Sequence, residues 1–496
     1  MLDELRKLLK HTTVFSVGNM LNKAVGFLMI PVYTHYLSPA DYGILELLDL
    51  SLMLTSVVLT MWMNAAVLRC YYEYDDERDR NQVISTFLFL AAALGVVGGT
   101  LGILFARNLA GFVLRAPQFY VFFRLISISL FMSSINTVAW SYLRAKQRST
   151  LIVAMNFVSL VINLSLNIYF IVFLRWGVIG MLYGSLVATS VLTTTITIIT
   201  LREVKVSFAI SKIAHQTSFG FSLVFASIAA FTLNFSDRFF LQRFSDVSHV
   251  GIYALGYKFG YMLNFLIVQP FDIIWGSRMY EIDKEANAGE VFSRILNYYA
   301  LALITAALGI SLVIKEVIGI VADRAFFDAY KIVPLVALSY VFAGLNSYFV
   351  AGIYIKKKTF SVGSIGIATA TINLILNVVL ISRYEAMGAA VATATSFFVM
   401  AALAFIASQR ARHIPYKLRK VFTALTLAIL IYLASVRVNI PSVALALGFK
   451  LILFALFPLL LYAAGFFEHG EVDKLKSLMS GAMTRYRARA VAVNGR

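Results

Sequence analysis

Charge is scarce in this chain. Asp, Glu, Lys and Arg make up 14% of its 496 residues, against about 25% in soluble domains. Apolar residues reach 60% and the mean hydropathy is +0.81. A soluble fold would have to absorb nearly every segment into one core, so composition excludes it. Cysteine occurs once, at Cys70, which excludes an internal disulfide. The six histidines are scattered, with no His-Glu-x-x-His, and no structural metal site or cofactor is expected. There is no Gly-x-x-x-x-Gly-Lys-Ser/Thr loop to cradle phosphates, so the chain is not itself an ATPase. One acidic run, Asp75-Asp76-Glu77-Arg78-Asp79, has the spacing to hold Mg²⁺ against a diphosphate. That chemistry needs a facing carboxylate cluster. The one candidate, Glu281-Ile-Asp283-Lys-Glu285, is wrongly spaced and neutralised by Lys284 and Arg278. The run reads as a solvated loop, and the chain as a non-enzyme.

What is present in quantity is apolar sequence in lengths that cross a bilayer, about 20 residues each. About fourteen segments qualify, near 12–36, 42–69, 82–106, 118–143, 149–174, 178–201, 213–242, 249–278, 291–314, 329–355, 360–382, 386–409, 418–436 and 443–467. The first is expected to be a retained helix, since no small-residue cleavage pattern follows it. No low-complexity or Pro-rich linker separates the segments.

The chain repeats itself. Ile162-Asn163-Leu-Ser-Leu-Asn167 returns as Ile372-Asn373-Leu-Ile-Leu-Asn377. Position 372 less 162 is an offset of 210 residues, which also pairs Asn136 with Asn346 and Lys146 with Lys356. Each copy falls late in a block of about six segments, and an even number of crossings leaves both blocks in one orientation. The expected architecture is therefore an all-α polytopic membrane protein. It has two six-helix lobes related by a parallel repeat, a cavity between them, and two extra helices. The expected divisions are residues 1–205 and 206–412 for the lobes, 413–470 for the extra helices and 471–496 for a basic tail. With the N-terminus in the cytoplasm, roughly 29 of the 43 Lys and Arg fall in cytoplasmic loops and tails and roughly 10 outside. Both termini are expected to be cytoplasmic. The net charge of +18 then follows from topology and attraction to anionic lipid heads, with no nucleic-acid partner.

Charges at bilayer depth cost about 2.5–3.5 kcal/mol on insertion scales and so face bundle interiors or wet cavities. Segment 1 carries Asn19, Asn22 and Lys23 on one helix face, and segment 7 carries Asn234, Asp237 and Arg238 at the same spacing, with Gln242 one turn on. Segment 8 carries Lys258, Gln269 and Asp272. At about 100° per residue the last two lie about 20° and 40° from Lys258, one stripe, and Pro270 should bend that helix. Segment 2 adds Glu46 and Asp49, and segment 4 adds Arg124. Lys23, Arg124, Arg238 and Lys258 are expected to form a cationic cavity, with Asn19, Asn22, Gln242 and Gln269 offering hydrogen bonds. Glu46, Asp49, Asp237 and Asp272 are expected as counter-ions or ion-coupling groups. Each has a plainer alternative: Asp237 and Arg238 as a staple at the end of helix 7, Arg124 as a snorkelling side chain. Asn163, Asn167, Asn373 and Asn377 read as interhelical hydrogen-bonding residues, and Gly95/Gly99, Gly180/Gly184 and Gly256/Gly260 as close-packing pairs.

The run Pro31-Val-Tyr33-Thr34-His35-Tyr-Leu37-Ser38-Pro39-Ala-Asp41-Tyr42-Gly43 resembles the opening of bacterial oligosaccharide flippases. These belong to the multidrug/oligosaccharidyl-lipid/polysaccharide exporter superfamily. Arg69-Cys-Tyr71-Tyr72-Glu73 is similar to the end of their second helix. Ser236-Asp237-Arg238-Phe-Phe-Leu241 with Val250-Gly251-Ile-Tyr253-Ala-Leu-Gly256-Tyr257-Lys258 is similar to their second-lobe opening. The resemblance covers about residues 10–410. It implies flipping of undecaprenyl-diphosphate-linked oligosaccharide across the bacterial cytoplasmic (inner) membrane for cell-surface polysaccharide biosynthesis. It also implies a polysaccharide polymerase and glycosyltransferases as working partners. Two alternatives in the superfamily are lipid II flippases, whose arginine-rich first helix contrasts with the lone Lys23 here, and drug/cation antiporters, whose cavities are apolar with an acidic ion site. A membrane glycosyltransferase would need a large external loop, and no outer loop here exceeds roughly 15 residues under this topology.

Overall fold

The computed structural model describes residues 25–438 and 440–467, apart from the side chains of residues 212, 214–219 and 222. Asn19, Asn22, Lys23 and the tail 471–496 lie outside the described residues. Among the described residues there is no strand. In hydrocarbon every backbone N–H and C=O must be paired within its own segment, which a helix does and an open sheet edge does not.

Among the described residues eleven helices are long and apolar enough to cross a membrane. In chain order the elements are α1 (Ile30–Tyr36), α2 (Pro39–Glu73), α3 (Glu77–Leu104), α4 (Pro117–Ala145), α5 (Ser149–Phe173), α6 (Gly177–Val204) and α7 (Ile210–Phe244). α8 runs Val247–Leu263, through a π-helical turn Asn264–Val268, to Gln269–Ile282. α9 (Ala288–Val321) and α10 (Val333–Ile355) follow. Next comes one helical run, Thr359–Ala411, broken at Glu385 (φ 48°, ψ −128°), whose two sides are α11 and α12. α13 (Leu418–Arg437) and α14 (Val443–Ala463) close the bundle. The fourteen expected segments thus differ from the eleven spans in three places. Most of segment 1 lies outside the described residues, segment 8 is the polar helix α8, and segments 11 and 12 share one run.

Local chemistry explains the helix starts. Ser38 and Asp41 form a reciprocal capping box at α2, with Pro39 in the first turn, where its missing N–H costs nothing. Asp76 caps α3 and Asp246 caps α8. The acidic run after α2 is therefore spent on capping and on the Glu77–Lys146 ion pair at 3.3 Å. Among the described residues no group of three metal-ligating side chains gathers.

The repeat is visible in the backbone. Non-glycine residues with positive φ include Gln147 and Lys357 (55° and 56°), and Arg175 and Glu385 (54° and 48°). Both pairs stand at the offset of 210 residues seen in the sequence. Left-handed residues are strained for L side chains, so their recurrence marks two copies of one chain path. Side chains agree: Asn167 donates to Asn163 at 2.9 Å, and Asn377 to Asn373 at 3.0 Å. In the second lobe Asn373 and Asn377 also reach Ser236 on α7 and Ser396 on α12, the interhelical bonding expected of them. The glycine pairs lie at close crossings: Gly95 faces Ser134 of α4, Gly184 faces Asn167 of α5, and Gly256 faces Ala329 beside α10.

The packing is asymmetric along the membrane normal. One core cluster joins both lobes at one end. It unites Ile44, Leu47 and Leu48 of α2 with Leu241 of α7, Val250 and Tyr253 of α8, and the second-lobe interior. A separate cluster fills the other end of the first lobe, from Trp62 and Met63 through Phe87, Tyr142 and Ile196, and from the second lobe it receives Ile213 and Val224 of α7. The lobes are thus fused at the end bearing the loops near residues 37, 115, 245 and 385. At the other end the first lobe has a core of its own, joined from the second lobe only by the first half of α7. We call these the closed and open ends.

Candidate substrate cavity and its closed roof

The roof is set by two glycines. A Cβ on Gly43 of α2 would lie 2.0 Å from the Val247 carbonyl oxygen, and one on Gly251 of α8 would lie 1.9 Å from that of Pro39. Each glycine meets the carbonyl four residues before the other, so α2 and α8 cross with twofold symmetry inside one chain. Only glycine allows this backbone approach. Around it, Gln242 donates to the Leu114 carbonyl at 2.9 Å and Arg115 to that of Arg243 at 3.0 Å. Asp246 caps α8 through the His249 amide at 2.9 Å. Partial burial raises the Asp246 carboxyl, and the His249 amide and ring more than offset this, holding it below the usual carboxylate range.

Beneath the roof sit the charges. Arg238 and Asp237 are each 1% exposed and pair at 2.6 Å. Asp237 also accepts from Tyr253 at 2.5 Å and Thr393 at 3.3 Å. Arg238 donates to the Asn234 carbonyl at 2.6 Å and lies 3.8 Å over the Tyr257 ring, a stacking suited to a guanidinium. Tyr257 and Tyr340 share a hydrogen bond at 2.7 Å. The Arg238 Nε lies 3.6 Å from Glu46 of α2, so this pair reaches across the two lobes. A second crossing lies deeper: Lys258 of α8 donates to Tyr42 of α2 at 2.6 Å, with Glu46 and Asp49 within electrostatic reach.

Depth gives these placements their meaning. Counting about 1.5 Å per residue from the helix starts, Glu46 lies about 10 Å below the closed end, Asp49 about 15 Å and Lys258 about 16 Å, near mid-bilayer. Both Asp49 and Lys258 are nevertheless exposed. A charged side chain exposed at that depth requires a water-filled space.

The remaining expected residues fall elsewhere or are rotated. Arg124 is exposed and turns back over Tyr120 at 4.8 Å, toward the start of α4. Gln242 is 6% exposed and part of the roof. Gln269 donates to Tyr261 at 3.4 Å, and Asp272 accepts from Ser347 of α10 at 2.5 Å. The π-turn ahead of Pro270 adds one residue to the helical path. It relieves the clash of the proline ring with the preceding turn, and it displaces Gln269 and Asp272 by about 100° from the stripe with Lys258 that regular spacing predicts. The buried tyrosines 253, 257 and 340 were missed by reading charges alone. Their signal was Tyr253 and Tyr257 at i, i+4, one position before Lys258.

A two-lobe helical bundle with charged groups meeting between its halves at bilayer depth defines a membrane transporter fold. The chain belongs to the polysaccharide biosynthesis protein family, whose pattern matches residues 8–273. It is 22% identical over 267 residues to an uncharacterised membrane protein of Haemophilus influenzae, a match covering 53% of this chain and 62% of that protein. Its fold is similar to that of the lipid II flippase MurJ in an inward closed conformation, with a TM-score of 0.75, 14% identity, and coverage of 91% of this chain and 99% of that one. It is also similar to a multidrug resistance MATE family transporter of the MOP superfamily in an inward-facing conformation. There the TM-score is 0.62 at 15% identity, covering 79% and 98% of the two chains. The multi-pass membrane architecture expected from the sequence is thereby shown.

Proposed function

We propose that this protein flips undecaprenyl-diphosphate-linked oligosaccharide from the cytoplasmic to the outer leaflet of the bacterial inner membrane by alternating access. The observation that carries the reading is Lys258, an exposed lysine at mid-bilayer beneath a closed roof, its ammonium donating to Tyr42. It offers a diphosphate a cation that lipid cannot supply, for which Tyr42, Glu46 and Asp49 compete among the described residues. The open end carries the basic loops at Lys146 and Lys356–Lys358, so the positive-inside bias supports an open end facing the cytoplasm and both termini there. The polyprenyl tail would remain in lipid. A diphosphate with about two negative charges moves outward down an inside-negative potential, favourable by roughly 4–5 kcal/mol at 100 mV if uncompensated. That field is sufficient drive without nucleotide.

Purified protein in liposomes is expected to flip lipid-linked glycan without ATP. Lys258→Ala should lower the rate about tenfold while Lys258→Arg keeps a measurable fraction, charge being retained and shape altered. Nucleotide dependence, or a normal rate for Lys258→Ala, would overturn the reading. Reporter fusions after residues 146 and 357 should both report the cytoplasm, and fusions after 110 and 245 the exterior. Opposite readings at 146 and 357 would defeat the parallel orientation of the lobes.

A further inference from the structure

We propose that Arg144, at the open-end corner between α4 and α5, is the entry site for the substrate, an assignment that rests on the flippase reading above. It takes the diphosphate of the lipid-linked glycan from the headgroup layer before that group reaches Lys258.

The corner carries three cations, Arg144, Lys146 and Arg148. Lys146 pairs with Glu77 at 3.3 Å, and Arg148 with Glu203 at 2.5 Å. Glu203 also accepts from Tyr142 at 2.9 Å. Arg144 takes neither acid. Its Nη2 donates to Asn64 of α2 at 2.8 Å and to Ser141 at 3.2 Å. Ser141 is buried and donates in turn to Asn64 at 2.7 Å. Tyr72, near the end of α2, donates to the Ala145 carbonyl at 3.0 Å and fastens the helix to the corner. Both acceptors of Arg144 are neutral, and no carboxylate pairs with it among the described residues. The side chain is exposed, so an uncompensated guanidinium stands anchored to two helices. Of its N–H groups, those on Nη1 and Nε have no partner among the described residues. A planar fork fixed on one side and free on the other suits two oxygens of a phosphate.

The fold does not need this cation. Gln147 and Lys357 share a positive φ (55° and 56°), so the corner recurs in the second lobe. There position 354, which is 144 plus 210, is a tyrosine. The same turn forms without an arginine.

The position leads toward Lys258. Asn64 stands fifteen residues beyond Asp49 on α2. At about 100° per residue that is a net turn of about 60°, and the π-turn Val57–Met61 sets the count back by about 100°. The two residues thus share a helix face, about 40° apart. A rise of about 1.5 Å per residue puts Asn64 about 22 Å nearer the open end than Asp49, at the level of lipid headgroups. Arg144 therefore stands at the foot of a stripe whose upper end holds Asp49 within electrostatic reach of Lys258. Ordinary phospholipid presents the same phosphate oxygens at this level. A diphosphate brings about two negative charges against one for a phosphodiester, which about doubles its attraction to one guanidinium.

The test uses the full-length protein in detergent and native mass spectrometry, with farnesyl diphosphate and phosphatidylglycerol as probes. Wild type should retain two farnesyl diphosphates. Arg144→Gln and Lys258→Ala should each retain one, and the double variant none. The molecule kept by Arg144→Gln also shows that this variant is folded. Arg144→Lys should weaken the entry site severalfold, since it keeps the charge and loses the fork. Asn64→Ala should do the same with the charge intact, because the guanidinium loses its anchor. Lys357→Gln, at the matching turn of the second lobe, should change retention less than twofold. Two farnesyl diphosphates on Arg144→Gln would overturn the entry site and leave the Lys258 reading standing. A single one on wild type, lost in Arg144→Gln and kept in Lys258→Ala, would keep the entry site and defeat the Lys258 reading. Phosphatidylglycerol held as well as farnesyl diphosphate, and lost equally in Arg144→Gln, would overturn the assignment, since any headgroup would then serve. So would an equal loss in Lys357→Gln, since binding would then be diffuse surface attraction.

Discussion

Gly251→Leu is expected to abolish surface polysaccharide while the protein still accumulates in the membrane. An added Cβ at position 251 lies 1.9 Å from a backbone carbonyl, and ordinary contact begins at 3.4 Å. The helices must therefore part by roughly 1.5 Å for alanine, and by more for leucine, because no side chain can move aside. The cost falls only on the closed roof. A roof that cannot close leaves the transporter biased to one state, and a two-state cycle biased by about 5.5 kcal/mol is moved from one extreme to the other. Gly251→Ala should retain an intermediate rate, and Gly43→Leu should match Gly251→Leu, since the crossing is symmetric. Gly276 has open space around it, so Gly276→Ala serves as the neutral control. A cysteine placed at Ser245, with Cys70 replaced, should react faster with an impermeant maleimide in the Gly251→Leu background. Normal glycan per molecule in that background would remove the roof from the mechanism.

The fold was legible because bilayer physics writes it in segment length, and because the 210-residue repeat survives in polar residues that a lipid environment seldom tolerates. Glu385 was readable as a boundary through its charge. That α11 and α12 form one kinked run was not, since a positive φ at a glutamate leaves no residue-type signal. At the site, charge named Asp237, Arg238, Lys258, Glu46 and Asp49, and these five do gather beneath the roof. Helical phase failed at Gln269 and Asp272 because one π-turn resets the count. Gln242 shares a helix face with Arg238 yet reaches the roof, since a side chain one turn nearer the helix end meets a different neighbour, the Leu114 carbonyl. Gly43 and Gly251 stand within family-like motifs, but nothing in either motif says that the two cross. Contacts between residues 208 positions apart are a property of the packed lobes.

Arg238→Met should cut membrane abundance more than tenfold. The guanidinium is 1% exposed and is the cation beside Asp237, itself 1% exposed. Removing one member of a buried pair strands the other charge at about 3–5 kcal/mol, a large share of the roughly 5–15 kcal/mol that holds a typical domain folded. Asp237→Asn/Arg238→Met should recover most of the abundance, since an amide oxygen still accepts from Tyr253 and no charge is left unpaired. Abundance alone would make the pair a staple for α7. Transport distinguishes the fuller role. The Arg238 Nε approaches Glu46 to 3.6 Å across the lobes, and the double variant loses this contact while keeping the local packing of α7. Glycan per molecule in the double variant should therefore stay about tenfold below wild type. Recovery of both abundance and transport would show that the pair only fastens α7. Abundance recovered without transport identifies Arg238 as the cation that couples the second lobe to α2 when the roof closes.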